Sequence, residues 1–199
     1  MKSIYIYGAS GHGLVVADIA KANGYTNIIF IDDGDNAYQT FEEIKNKNDI
    51  PLALGIGSNK IRKSIYKKAI QYGFDVITLV HPSAIISTST KIDAGTVVMP
   101  NVVVNACSSI GKGVILNTAC VIDHENIIED FVHISPNVAL AGNVIVNSNT
   151  HIGIGTSVIQ GLIIGENCII GAGSVVVKNI AKNYLAYGNP CIAIKEINE

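Results

Sequence analysis

The sequence predicts two joined folds, a small α/β domain with a parallel sheet followed by a parallel β-solenoid. Three observations carry this reading. From the N-terminus to Val80, strand-like and helix-like stretches alternate at the spacing of βαβ units. From Ile86 to Val176 every sixth residue is aliphatic, sixteen positions without a break. The chain of 199 residues is 48% apolar and 15% charged with 19 glycines, which suits tight turns around a core and excludes disorder or a coiled coil.

The elements follow in order. Lys2 to Tyr7 is a β-rich run, succeeded by Gly8-Ala9-Ser10-Gly11-His12-Gly13 and a helical stretch to about Ala22. Asn27 to Ile31 reads as the second strand and ends at Asp32-Asp33-Gly34. Pro51 to Gly55 is the third, and Ser58 is placed to cap a helix running to about Tyr72. Phe74 to Val80 is the expected fourth strand, and the α/β domain is set at 1–82.

Beyond it, residues 83–199 form the second domain. A period of six fits neither a helix nor a simple strand alternation. It fits short strands joined by tight turns, with one aliphatic side chain per side pointing inward. Four residues further on, the column is small or β-branched (Thr96, Val102, Ser108, Val114, Cys120), broken by Asn126 and Leu162. The residue directly after the aliphatic one is often a turn former, as at Asp93, Gly111 and Gly153. Three units per coil make about five coils. The tail is expected to return over the solenoid's end.

Composition narrows the function. A net charge of −2 offers no basic face for nucleic acid. No run of about 18 apolar residues marks a membrane span, and the N-terminus enters a strand pattern with no signal-peptide core, so the chain reads as cytoplasmic. Cys107, Cys120, Cys168 and Cys191 lie far apart, as reduced thiols do, with Cys120 and Cys168 in the inward column for packing. A β-solenoid could also hold zinc through three histidines, two of them close together. The histidines at 12, 81, 124, 133 and 151 contain no H-x4-H pair, so no metal site is expected.

Unbroken units of the form aliphatic-Gly-x-x-small-x resemble the left-handed β-helix of hexapeptide-repeat acyltransferases. With the opening Tyr5-Ile6-Tyr7-Gly8-Ala9-Ser10-Gly11-His12-Gly13, the segments Asn117-Thr118 and Asp123-His124-Glu125, and the tail Tyr187-Gly188-Asn189-Pro190, the whole chain resembles the UDP-4-amino-sugar N-acetyltransferases of bacillosamine-type pathways. Sialic acid O-acetyltransferases share that architecture. The resemblance implies a Rossmann-like domain that binds the nucleotide sugar and a left-handed β-helix that binds acetyl-CoA. It also implies a homotrimer with each site between adjacent solenoids.

Acetyl transfer to an amine needs a base for the amine proton and a donor for the developing oxyanion. His124, two residues past Ile122, interrupts an apolar rhythm, and the family's catalytic histidine falls there. A solvated turn histidine is the bland alternative. Glu125 matches the family's acid, while Asp123 sits at an ordinary turn position. The resemblance places His133 and the Gly142 N–H beside the acetyl end of acetyl-CoA and Asn117 on the substrate side, although Gly142 also reads as a plain turn glycine.

The loop of Gly11, His12 and Gly13 has the spacing G-x-x-G-x-G rather than G-x-G-x-x-G. It follows a strand and opens a helix, where backbone N–H groups favour phosphate. Asp32 and Asp33 end the neighbouring strand, and the resemblance assigns both to the UDP-sugar. Arg62, the sole arginine, either forks onto a phosphate or belongs to a solvated helix. His81 reads as structural and His151 as an exposed outer-turn residue. Two other functions compete: O-acetylation of a sialic acid, and a non-catalytic trimeric module that binds UDP-sugar without consuming acetyl-CoA.

Overall fold

A computed structural model describes residues 1–197. Strands β1 (Ser3–Tyr7), β2 (Asn27–Ile31) and β3 (Leu52–Leu54) form a parallel sheet in the order β2-β1-β3. The alternation of a strand divides β1 between two cores. Ile4 and Ile6 face helix α1 (Gly11–Ala22), and their cluster runs without a gap through Val16 and Ile19 into Leu79, Val97 and Val98 of the solenoid. Tyr5 and Tyr7 face the other way, packing with Phe41 and Ile44 of α2 (Phe41–Ile44), Phe74, and Ala69 of α3 (Asn59–Gln71).

The solenoid has three faces of two-residue strands stacked in parallel. The first carries Leu79–Val80, Val97–Val98, Ile115–Leu116, His133–Ile134, His151–Ile152 and Ile169–Ile170. The second runs from Ile85–Ile86 to Val175–Val176, and the third from Lys91–Ile92 to Ile163–Ile164. Register repeats once per coil of three units, so that His133 pairs with both Ile115 and His151. The periodic aliphatic residues point inward and are buried, except that Ile86 and Ile92 of the first coil are half-buried. The smaller column is mostly buried too, and its polar members satisfy themselves on carbonyls: Thr96 Oγ1 donates to Gly111 O at 2.8 Å and Thr150 Oγ1 to Gly165 O at 2.6 Å. Strand Tyr184–Gly188 adds to the first face beside Ile169–Ile170 and turns back through Cys191–Glu196. Cys120 and Cys168 are buried among these coils.

The structure differs from expectation in four places. The fourth strand is only Leu79–Val80, and it pairs with Val97–Val98 of the solenoid rather than with β3. Val80 stands one repeat unit ahead of Ile86, so the period begins early and the coils number nearly six. Second, the short helix α2, whose preceding Thr40 N–H donates to Glu43 Oε2 at 2.7 Å, was not anticipated. Third, Ser58 holds the N-cap position of α3, but its side chain makes no capping bond. Fourth, the strained turn position is the third after the aliphatic one, not the next. Every sixth residue from Gly95 to Gly173 has a positive φ. Gly and Asn fill most of these corners, as the left-handed region favours; Cys107, Ala119, Glu125 and Phe131 are the exceptions.

Candidate active site

His124 and Glu125 sit on the corner between the second and third faces. Glu125 takes the left-handed corner position, φ 59°, and this turns its carboxylate back onto its neighbour: Glu125 Oε2 lies 3.0 Å from His124 Nδ1. The carboxylate is an acceptor only, so the ring proton is on Nδ1 and Nε2 is left with a lone pair. Asp123 has a different task. Its Oδ1 accepts the His124 backbone N–H at 2.8 Å and Asn105 Nδ2 at 2.9 Å, and these bonds, Asn105's above all, hold its carboxyl below the usual range. Glu125 is therefore the ring's partner.

One coil further on, Gly142 stands against the imidazole. A Cβ at 142 would run into the His124 ring, so any side chain there would displace the imidazole from this position. Among the described residues the Gly142 N–H has no hydrogen-bond acceptor. Asn126 braces both corners: buried completely, it donates to Asp123 O at 2.7 Å and to Ala141 O at 3.1 Å and accepts from Val144 N–H at 2.9 Å. Sequence reasoning saw Asn126 only as an irregularity in the small column. The break directly after the His-Glu pair was the available signal.

The predicted nucleotide residues gather elsewhere, at the carboxyl edge of the small sheet. Gly13 packs α1 onto the β1 loop so closely that a Cβ would meet the Gly8 carbonyl. Asp32 turns back on its own loops, accepting from Ala9 N–H at 3.0 Å, Gly34 N–H at 2.9 Å and Asn36 Nδ2 at 3.0 Å. The Ala9 and Gly34 bonds hold its carboxyl below the usual range. Asp33, though exposed, is likewise engaged within the chain, accepting from Phe41 N–H at 2.7 Å, the Tyr7 hydroxyl at 2.5 Å and Lys68 Nζ at 3.2 Å. Both aspartates thus shape the edge on which a nucleotide would rest.

This edge faces the first face of the solenoid, where three histidines meet. His133 and His151 rings stack at 4.5 Å and 5°, and His12 stands 6.4 Å from His133. Asn117 joins them: its Oδ1 accepts from Thr118 N–H at 2.8 Å, which turns Nδ2 toward His133 Nε2 at 3.1 Å. The His133 proton is then on Nδ1, which is buried without a partner, as is His12 Nε2. Burial, reinforced by Arg62, pushes the His12 pKa down to about 4. Burial and then the neighbouring His151 push His133 down to about 3, against a lesser opposing pull from the Gly57 carbonyl. Both are neutral near pH 7.

Two expectations are corrected here. His151 is not an exposed turn residue; it lies on the first face under the β3–α3 loop, its Nε2 2.8 Å from Ser135 Oγ, and burial lowers its pKa. Arg62 neither forks outward nor lies in solvent. It is 1% exposed and spends its donors on carbonyls of the solenoid and of its own loop. Helix position alone could not reveal this, because the acceptors come from coils 51 and 69 residues away. His81 Nδ1 lies 2.8 Å from Ser83 Oγ in a local turn, a structural arrangement. A cavity of about 590 Å³ opens between the start of α3 (Ser58, Lys60, Lys63) and His151, Asn149 and Ile169. Among the described residues no cluster of His, Cys, Asp or Glu is gathered as a metal site, and no helix is long and apolar enough to cross a membrane.

The PglD N-terminal domain family matches residues 3–69. UDP-N-acetylbacillosamine N-acetyltransferase of Bacillus subtilis (strain 168) is 36% identical over 110 residues, 48% of this chain, and the match spans half the length of that curated relative. Two solved structures match end to end. The acetyltransferase domain of PglB from Neisseria gonorrhoeae FA1090, in complex with acetyl coenzyme A, is 35% identical with a TM-score of 0.91, covering 97% of this chain and 99% of that one. A histidine-to-alanine mutant of GDP-perosamine N-acetyl transferase from Caulobacter crescentus, in complex with CoA and GDP-perosamine, is 31% identical with a TM-score of 0.94, covering 98% of each chain. Their left-handed β-helix architecture extends to this solenoid, and the likeness holds over the full length of both parts. The chain belongs to the family of β-helix sugar N-acetyltransferases that open with a PglD-type N-terminal domain.

Proposed function

We propose that the protein transfers the acetyl group of acetyl-CoA to the 4-amino group of a UDP-linked amino-deoxy sugar, with His124 as general base. The observation that carries this reading is the His124 ring held between the Glu125 carboxylate, 3.0 Å from Nδ1, and Gly142. His124 Nε2 accepts the proton of the attacking amine, and Glu125 fixes the tautomer and stabilises the imidazolium that forms. Gly142 contributes its unpaired N–H to the oxygen of the acetyl carbonyl as charge develops there. The amine nitrogen bonds the acetyl carbon, the carbon–sulfur bond breaks, and CoA leaves as its thiol.

Topology gives this reading a further requirement. His124 occupies the corner between the second and third faces, whereas His12, Asn117, His133 and the loops of Asp32 and Asp33 belong to the first face and the small sheet. Among the described residues no hydrogen bond joins the two groups. A substrate held at the sheet edge of one copy therefore meets the His124 of a neighbouring copy. Exposed Ile85, Val121, Ile127 and Ile163 on the second and third faces supply apolar surface for such packing, and a homotrimer closes it with every copy equivalent. Acetyl-CoA would lie along the His124–Gly142 corner.

The test is thiol release from acetyl-CoA against UDP-sugars with and without a 4-amino group, together with a GDP-linked 4-amino sugar. Release with the UDP-linked 4-amino sugars alone is the expected outcome. Release only with the GDP sugar overturns the nucleotide assignment. No release from a folded oligomer overturns the acetyltransferase reading in favour of a binding module or another acceptor.

A further inference from the structure

Arg62 is a cation with no anion. It is 1% exposed, and although burial pushes its pKa down to about 9, the guanidinium keeps its charge near pH 7. Yet every acceptor it meets is neutral. Nε donates to Gly113 O at 2.6 Å; Nη1 donates to Gly57 O at 3.0 Å and Ile56 O at 3.2 Å. Nη2 donates to Phe131 O at 2.9 Å, Asn59 Oδ1 at 2.8 Å and Val132 O at 3.3 Å. Asn59 continues the series, its Nδ2 donating to Asn149 O at 2.8 Å. Gly113, Phe131 and Asn149 occupy the same left-handed corner on three successive coils. The first turn of α3 thus clips the β3–α3 loop onto three rungs of the solenoid. Phe131 tolerates φ 58° in a position that disfavours bulky residues, anchored by an edge contact with the Tyr66 ring at 5.5 Å.

A buried charge left without a counter-charge is costly, and the surroundings indicate what would complete it. Among the described residues, only three buried side-chain polar atoms lack a hydrogen-bond partner: His12 Nε2, His133 Nδ1 and Asn149 Oδ1. All three belong to residues bordering this clip. His133 carries its proton on Nδ1, because Nε2 takes the Asn117 amide; the Gly57 carbonyl nearby already accepts from Arg62 and does not reach hydrogen-bonding geometry with that proton, and Arg62 opposes a second proton on His12. Asn149 Oδ1 is an acceptor and has no part in this, but the neutral His133 Nδ1–H, joined by His12 in its Nε2–H tautomer, offers donors beside a fixed, fully hydrogen-bonded cation, which suits a polyanion that arrives with the substrate.

We infer that Arg62 is a positioning residue for the substrate's diphosphate, clipping loop 56–59 to the solenoid while its unpaired buried charge draws the diphosphate to the His12–His133 donors. The inference rests on the nucleotide-sugar reading above. Arg62 touches no phosphate itself, since its donors are spent; it acts through the loop and through its field.

Inhibition of acetyl transfer by UDP and by uridine separates charge from shape. In Arg62→Gln, the UDP inhibition constant should rise about tenfold or more and that of uridine less than about threefold, the KM for acetyl-CoA staying near wild type. Arg62→Lys, which keeps the charge but not the fork, should restore most of the preference for UDP over uridine. Equal weakening of UDP and uridine in Arg62→Gln overturns the proposal and leaves Arg62 a loop clip alone. A lysine variant as indifferent as the glutamine variant does the same. Should Arg62→Gln not fold, the lysine variant and Asn59→Ala, which loosens the clip and leaves the charge, are both expected to keep the UDP preference; its loss in either overturns the inference. A wild type that binds UDP no better than uridine refutes the nucleotide-sugar reading first, a result distinguishable from all of these.

Discussion

The chain places histidines in two opposite environments. At the 123–126 corner, His124 is a little over half exposed and its partner Glu125 more so; one carboxylate contact orients the ring and the other nitrogen stays open. At the first face, His12, His133 and His151 are pressed together under the β3–α3 loop, near a buried guanidinium. The same side chain thereby presents an open ring nitrogen in one place and is a buried, neutral hydrogen-bonding group in the other. What separates them is not the residue but the burial and the sign of the nearest charge.

Four predictions bear on that contrast. His124→Ala should lower kcat by about 10²–10⁴-fold while the fold and CoA binding persist, the range for losing a general base; a change of a few-fold, read by thiol release, would show that the open histidine is not the base. Gly142→Ala should cost about 10²-fold in kcat, because the added methyl displaces the ring it faces, and the two variants combined should be no worse than His124→Ala alone. Glu125→Gln keeps the shape and loses the carboxylate, for a loss of about tenfold and a changed pH–rate profile.

The buried group makes the smallest and most diagnostic prediction, in stability rather than rate. The folded-state pKa values of His12 and His133 are depressed to about 4 and about 3, below the unfolded value of about 6.5. Between those limits the unfolded chain binds more protons, so stability is complete above about pH 6.5 and falls as the pH drops toward 4. His133→Asn should flatten that slope in thermal melts between about pH 4 and 6.5. An unchanged slope would show that the buried ring does not carry it.

The parts of this that the sequence made legible are those with a local cause. The period of six identified three faces and the inward columns, because one aliphatic residue per side is a property of the strand itself. His124 was visible as a polar interruption. What escaped depends on contacts a whole coil or a domain apart. Val80 continued the period unnoticed because the run Phe74 to Val80 also reads as a sheet strand. The corner position of Glu125 became evident only from backbone angles, since glycine and aspartate directly after the aliphatic residue mimic a turn signal. Arg62 sits among Lys60, Lys63, Lys67 and Lys68 on a helix that looks solvated; only the docked solenoid turns one of these cations inward. His151 was misplaced for the same reason, its cover being supplied by a loop of the other domain.

A solenoid is a ruler whose graduations are alike, and anything docked on its side risks sliding by one mark. The rungs at Gly113, Phe131 and Asn149 present the same carbonyl once per coil, so the clip by itself has no preferred height. Phe131 removes the degeneracy: its ring fills the space over Gly113, where a Cβ would collide with it, and meets Tyr66 from α3. One bulky residue in a column of small ones thus acts as an index pin. The pin works together with the shared core at Leu79, Val97 and Val98, which ties the small domain to the first coil, so that α3 meets the shaft at one rung and no other.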